Sequence, residues 1–347
     1  MTSSTPRTAL VTGATGYIGG ALVPALLDAG WSVGVLTRSR AGLEGRPWAD
    51  DVAAVEGDAT SPDDLGRALE GVDVAYYLLH SMDGQGSFVQ RDRTMAQGFA
   101  AAAADSGTER IVYLSGLHPR GDLSQHLASR VEVGEIFLDA PVPAAVLQAG
   151  VVLGDGSASF DMLRHLTERL PAMVAPRWVD NQIQPIAVDD VVHYLVGAAD
   201  LPADINRTLD IGGPEVLTYA EMMQRYAETA GIGRRLIVSV PVLTPRLAGL
   251  WVGLVTPISA GIARPLVGSL VHDAVCHEND ALTLIGPPPG GPTGFDTAVR
   301  AALRSVDPLG WRRTVQRTAA TVGAAAVAGL ATTALTAAIA RRNHRRS

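Results

Sequence analysis

Lysine is absent, so all 28 basic residues of this 347-residue chain are arginine. That excludes a Schiff-base lysine, a Walker A lysine, and any mechanism in which a lysine ammonium tunes a neighbouring tyrosine. Cysteine occurs once, as Cys276. One thiol cannot close an intramolecular disulfide, and with no Cys/His cluster around it a zinc site is not expected, which fits a reducing cytoplasm. Charged residues make up only 18% of the chain against 47% hydrophobic ones, too apolar and too weakly charged for intrinsic disorder. The first residues run almost directly into an apolar strand-like stretch with no basic region and cleavage site, so no secretory signal is expected. There is no internal repeat, and no motif supports a metal site or nucleic-acid binding.

The length predicts about two domains. Net charge is −7 but unevenly spread: residues 300–347 hold nine arginines and one acid, Asp307, leaving the body strongly acidic. Residues 318–340 are 23 positions without a charge, followed by RRNHRR, and 11 of them are alanine. A weakly apolar segment flanked by arginine on both sides points to peripheral attachment of the tail to an anionic membrane surface on the cytoplasmic side, the alternative being an ordinary alanine-rich helix packed on the body or on a partner.

Short apolar runs at 9–11, 33–36, 52–55, 74–79, 111–114 and 144–147 alternate with helix-length stretches such as 18–29, 88–104 and 127–138. This is the pattern of βαβ units, and it predicts an α/β fold with a Rossmann-like, doubly wound parallel sheet. The expected organisation is a nucleotide-binding domain over 1–155, completed by about 180–215. A small, mostly helical substrate-side lobe follows over 156–285, then a linker and basic tail helix over 286–347. Asp189 and Thr218 read as helix caps, and GPPPGGPTG, from Gly286, reads as linker. Residues 242–270 are nearly all apolar, carry only Arg246 and Arg264, and are broken by Pro245, Pro257 and Pro265. The prolines argue against a straight span and for short helices around a greasy pocket or on a membrane face.

TGATGYIGG sets Gly13, Gly16 and Gly19 between a strand and a helix, where a tight turn, a close approach to a pyrophosphate and helix–strand packing each need a missing side chain. Thr15, Tyr17 and Ile18 belong to the same expected cofactor loop. After the second strand there is no acid to hold a ribose 2′-hydroxyl, but Arg38 and Arg40. A guanidinium suits a 2′-phosphate, so NADP(H) is favoured over NAD(H). Asp58 and Ala59, ending the third strand, either face the adenine or cap a turn. Leu78 and His80, with Tyr77, Ser81 and Met82, end the fourth strand beside the expected nicotinamide ribose.

TGATGYIGG, GDATSPDDL, QPIAVDDVV and DIGGPEVLTYAEMM, in that order, resemble the extended and atypical short-chain dehydrogenase/reductase superfamily. The branch is similar to NmrA-like proteins and to the accessory NADPH-binding subunit of respiratory complex I, and the resemblance spans roughly residues 7–285. It implies a serine at the end of the fifth strand, supplied by Ser115, and a Tyr-x-x-x-Lys pair on the next helix. Here His126 and Arg130 occupy those places. His126 is a chemically reasonable proton donor, Arg130 only a fixed positive charge; His80 and His118 are the other histidines near the expected cleft. Ser157 and Phe160, in GVVLGDGSASF with Gly154 and Ser159, and Arg177 and Trp178, in APRW, are expected on the substrate side. Two functions stay open. One is an oxidoreductase acting on a small apolar, quinone-like or lipid-linked carbonyl; the other is a non-catalytic NADP(H)-binding structural or redox-sensing protein of a membrane assembly.

Overall fold

The computed structural model describes residues 6–79, 88–119, 121, 123–240, 270–305 and 308. The first half runs β1 (Thr8–Thr12), α1 (Tyr17–Asp28), β2 (Ser32–Thr37), β3 (Ala53–Glu56), α2 (Pro62–Leu69), β4 (Val74–Tyr77), α3 (Phe88–Asp105), β5 (Arg110–Gly116), α4 (Gln125–Leu138) and β6 (Ala144–Ala149). The second runs β7 (Val152–Leu153), α5 (Ala158–Arg169), β8 (Ala172–Pro176), β9 (Gln182–Ile183), β10 (Ile186–Ala187), α6 (Val188–Ala198), β11 (Arg207–Ile211), β12 (Leu217–Thr218), α7 (Tyr219–Thr229), β13 (Leu236–Val240), α8 (Asp280–Leu284) and α9 (Phe295–Ala302).

Seven parallel strands form one sheet in the order β11-β6-β5-β4-β1-β2-β3. The fold is Rossmann-like: chain order reverses at β1, and this switch point opens a crevice beyond the carboxyl ends of the strands. Both faces are covered, as a parallel sheet requires. Because neighbouring side chains on a strand point to opposite faces, Ala9 and Val11 pack with Leu22, Leu26, Val191 and Leu195 of α1 and α6. Leu10 packs instead with Leu65, Phe99 and Phe137 of α2, α3 and α4. On that second face Tyr77 stands edge-on to Phe99 and Phe137, each at 5.0 Å.

The remaining elements build a smaller lobe in which helices such as α5 and α7 are joined by the short strand pairs β7–β10, β9–β12 and β8–β13. Phe160 of α5 meets Tyr226 of α7, and Glu168 accepts the Tyr226 hydroxyl at 2.6 Å. Thr218 does cap α7, in a capping box with Glu221. Asp189 is not a cap: Ala187 holds that position, and Asp189 lies in the first turn, where its charge still suits the helix dipole.

The GPPPGGPTG stretch is not a free linker. Asp190, buried in α6, accepts from the Thr293 N–H and hydroxyl at 2.7 and 2.9 Å. Glu215 accepts from the Phe295 N–H, and Phe295 and Val299 of α9 are buried. Residues Met1–Ala302 form one compact unit and Leu303–Ser347 a second. The tail 309–347, the apolar segment 241–269 and His80 to Met82 lie outside the described residues.

Candidate functional site

The glycine-rich turn is shaped by backbone crowding. Gly13 has φ +74°, and a Cβ there would lie 2.7 Å from the Leu78 carbonyl oxygen. A Cβ on Gly19 would enter the Gly13 carbonyl and lie 2.7 Å from Ala14 Cα. Turn and helix thus interlock, and the Thr12 hydroxyl completes the joint by donating to Tyr76 O at 2.9 Å and accepting from the Leu78 N–H at 3.3 Å. Gly16 is the N-cap of α1 and offers no side-chain acceptor. The first α1 amides are therefore open to an anion, the arrangement a pyrophosphate uses.

A cleft of about 590 Å³ opens against this turn, lined among others by Gly13, Thr15, Arg38, Asp58, Ala59 and Arg91. Arg38 is exposed and makes no hydrogen bond or ion pair among the described residues. Arg40 is drawn away instead, donating to Ala54 O at 2.6 Å. Asp58 closes a turn: it accepts from the Thr60 N–H and hydroxyl, both at 2.8 Å. Those two bonds, the backbone one foremost, hold its carboxyl below the ordinary range, with a smaller contribution from Arg38.

Tyr17 turns from the cofactor loop toward the β7–α5 loop, its ring against Gly154 and Gly156. Burial, then the nearby Asp189, Asp155 and Asp161, raise its phenol well above the ordinary value. Ile18, the next residue, packs on the α1-side core. Tyr77 belongs to the aromatic cluster and is 1% exposed, so it packs the sheet rather than facing the cleft.

β5 and α4 meet at Arg130. Its guanidinium donates to Leu114 O at 2.5 Å, and its carbonyl accepts from Tyr113 Oη at 3.3 Å and Ser115 Oγ at 3.5 Å. Ser115 and Arg130 thus lie together at the β5–α4 joint, and Ser115 is buried. His126 lies one turn before Arg130 on the same side of α4, half-buried, in a turn capped by Ser124. The His118 carbonyl meets His277 Nε2 at 3.3 Å.

The expected substrate-side residues divide. Ser157 is buried and donates to Val152 O at 2.7 Å. Phe160 is fully buried against Tyr226, and Trp178 is buried 5.5 Å from Tyr219, so all three pack the lobe. Arg177 is exposed. Residues that the sequence reading passed over are Arg91, in the cleft wall, and Arg46, which donates to Thr15 O at 2.5 Å and stands 5.6 Å over Trp48. Arg46 leaves no sequence signal because it sits in an irregular stretch between β2 and β3. Among the described residues no group of histidine, cysteine and carboxylates could hold a metal ion.

Comparisons with known proteins agree with this geometry. Residues 13–138 match the family model described as NAD(P)H-binding. The chain is 28% identical over 241 residues to the ceramide reductase of Caulobacter vibrioides, covering 65% of this chain and 72% of that one. The structure resembles Citrobacter sp. triphenylmethane reductase complexed with NADP(H), with TM-score 0.66 and 18% identity over 86% of this chain and all 100% of that one. It also resembles the UDP-glucose 4-epimerase of Thermotoga maritima, with TM-score 0.64 and 16% identity over 89% and 100% of the two chains. At these identities the two structures share the fold with this chain and nothing more, the Rossmann-like fold of its seven-stranded sheet.

Proposed function

We propose that the protein is an NADP(H)-dependent oxidoreductase of the atypical short-chain dehydrogenase/reductase type that acts on an apolar carbonyl, quinone-like or lipid-linked substrate. The observation that carries this reading is Arg38, an uncommitted guanidinium in a cleft whose floor is the interlocked Gly13–Gly19 turn. Gly13, Thr15, Gly16 and the first α1 amides would hold the pyrophosphate, Arg38 the 2′-phosphate, and Ala59 with the Asp58 turn the adenosine end. When bound, the cofactor supplies hydride. The chain's own part is to position and to protonate: Arg130 keeps a permanent positive charge at the end of β5, and His126 brings a proton-bearing imidazole to the same face of α4. That a ceramide reductase is among the relatives supports a lipid-like substrate.

A second reading is favoured by one observation. One Arg130 N–H is committed to Leu114 O and Ser115 is buried, so both residues serve the β5–α4 joint rather than an open catalytic face. In that reading NADP(H) is a structural or redox-reporting ligand in a membrane assembly. Following NADPH oxidation by the purified full chain across long-chain ketones, aldehydes and quinones separates the two. Turnover with any of these supports the enzyme; tight NADPH binding with none supports the second reading. The basic tail, we further propose, holds the protein peripherally on an anionic leaflet. Among the described residues no helix is long and apolar enough to cross a membrane.

A further inference from the structure

We infer that the outer face of the β8–β13 pair is a docking surface for a lipid bilayer. The two strands are parallel and in register, with Ala172 opposite Leu236 and Val174 opposite Val238. On β8 the inward positions behave as a core should, Met173 at 7% and Ala175 at 2% exposed, while opposite them on β13 Ile237 is half-buried and Ser239 exposed. A solvated strand carries polar residues at the alternate positions. Here those positions are Ala172, Val174, Leu236 and Val238, and the last three are 56%, 64% and 46% exposed. Six large apolar side chains are exposed among the described residues, and three of them stand on this one strip. Such clustering marks a surface that meets something apolar.

Charge and sequence select a bilayer as that partner. Arg234, just before β13, and Arg177, just after β8, are both exposed and lie beyond opposite ends of the strip, where they suit lipid phosphates. Asp180 also lies beside it, accepting from Ser239 Oγ at 2.7 Å. After Val240 the chain enters a long stretch with no acidic residue until Asp273, whose only charged side chains before His272 are Arg246 and Arg264 and which contains Trp251. An apolar composition with arginine as its charge and a tryptophan is that of a membrane-interface contact. The strip itself needs none of those residues: it is complete in four described side chains.

The test is co-sedimentation of the full chain with vesicles of phosphatidylcholine and phosphatidylglycerol, run at high salt so that attraction through the arginine-rich tail is screened. The double variant Val174→Glu, Val238→Glu should bind roughly tenfold more weakly than wild type, since two apolar contacts are exchanged for charges. Val174→Thr, Val238→Thr, which keeps strand propensity, should lie between. Val216→Glu, an exposed apolar position elsewhere at 43%, should bind as wild type. NADPH affinity and the unfolding midpoint, measured on the same samples, should not move, which keeps a failure of docking distinct from a failure of the cofactor reading. Unchanged vesicle binding by both double variants overturns the proposal. So does a wild-type dimer that these substitutions dissociate, which would make a second copy the occupant.

Discussion

Replacing Gly19 by alanine separates two effects that work in opposite directions. In an open helix the exchange stabilises, by about 0.5–1 kcal/mol, because alanine loses less backbone entropy on folding. Gly66 offers that situation: it is exposed inside α2, and a Cβ there would meet nothing within 4 Å. At Gly19 the new Cβ meets backbone, not a side chain that could swing aside. Ordinary contact begins at 3.4 Å and Ala14 Cα would be at 2.7 Å, so turn and helix must part by roughly 0.7 Å or more. Forced overpacking of this size costs about 1–3 kcal/mol, which exceeds the helix gain. Gly66→Ala should therefore raise the urea midpoint and Gly19→Ala lower it. Because the displaced atoms are those of the phosphate-binding turn, Gly19→Ala should also weaken NADPH binding by roughly tenfold or more in a fluorescence titration. If Gly19→Ala is as stable as Gly66→Ala and binds NADPH as wild type does, the turn is not the interlocked cradle described above.

Arg38→Ala should remove most of the preference for NADPH over NADH, a loss of about tenfold or more, since a charge-assisted bond contributes ~1.5–3 kcal/mol, and calorimetry with both nucleotides measures it. Arg46→Ala should weaken both nucleotides alike, since it frees Thr15 O rather than the 2′-phosphate site; a selective loss of NADPH in the same titration would place Arg46 on that phosphate instead. His165 is partly buried near Arg164 and Arg169, and burial foremost lowers its pKa from 6.5 to about 4. The unfolded chain takes up that proton first, so the associated stability is present above pH ~6.5 and is lost as pH falls toward about 4. His165→Gln should flatten that part of the unfolding profile by ~1–3 kcal/mol, measured by urea melts across the range.

The doubly wound half was legible because both of its signals are local. Strand runs such as 9–11 and 144–147 alternate with helix-length stretches, and every one of them is a strand of the large sheet. The glycine spacing was legible for the same reason. Burial in the lobe was not, because it depends on contacts distant in sequence. Phe160 and Trp178 look like pocket residues in a loop-rich stretch, yet Tyr226 and Tyr219 of α7 bury them. Prolines and glycines made 286–294 look like a linker, and nothing local announces that Asp190 and Glu215 reach across to hold it. Arg40 shows the same limit. It shares the sequence context of Arg38, but the Ala54 carbonyl on β3 takes it out of the cleft.

The source of the proton is the sharpest question for the enzymatic reading, and lysine's absence narrows it. Arg130 cannot exchange protons near neutrality. The phenols of Tyr77 and Tyr113 are raised above their ordinary value, chiefly by burial, and both side chains sit in the core of the α2–α4 face. Tyr17 is held protonated by burial and three carboxylates and turns toward Gly154, which makes it a poor donor to an alkoxide. Imidazole remains, and His126 brings one to the Arg130 side of α4. His126→Ala should lower turnover by about 10²-fold while leaving NADPH affinity nearly intact, because the ring acts only as the proton moves. Stopped-flow rates at saturating NADPH and a fluorescence titration with NADPH, each on wild type and variant, measure both effects. A His126→Ala enzyme with the wild-type rate would remove His126 from the chemistry.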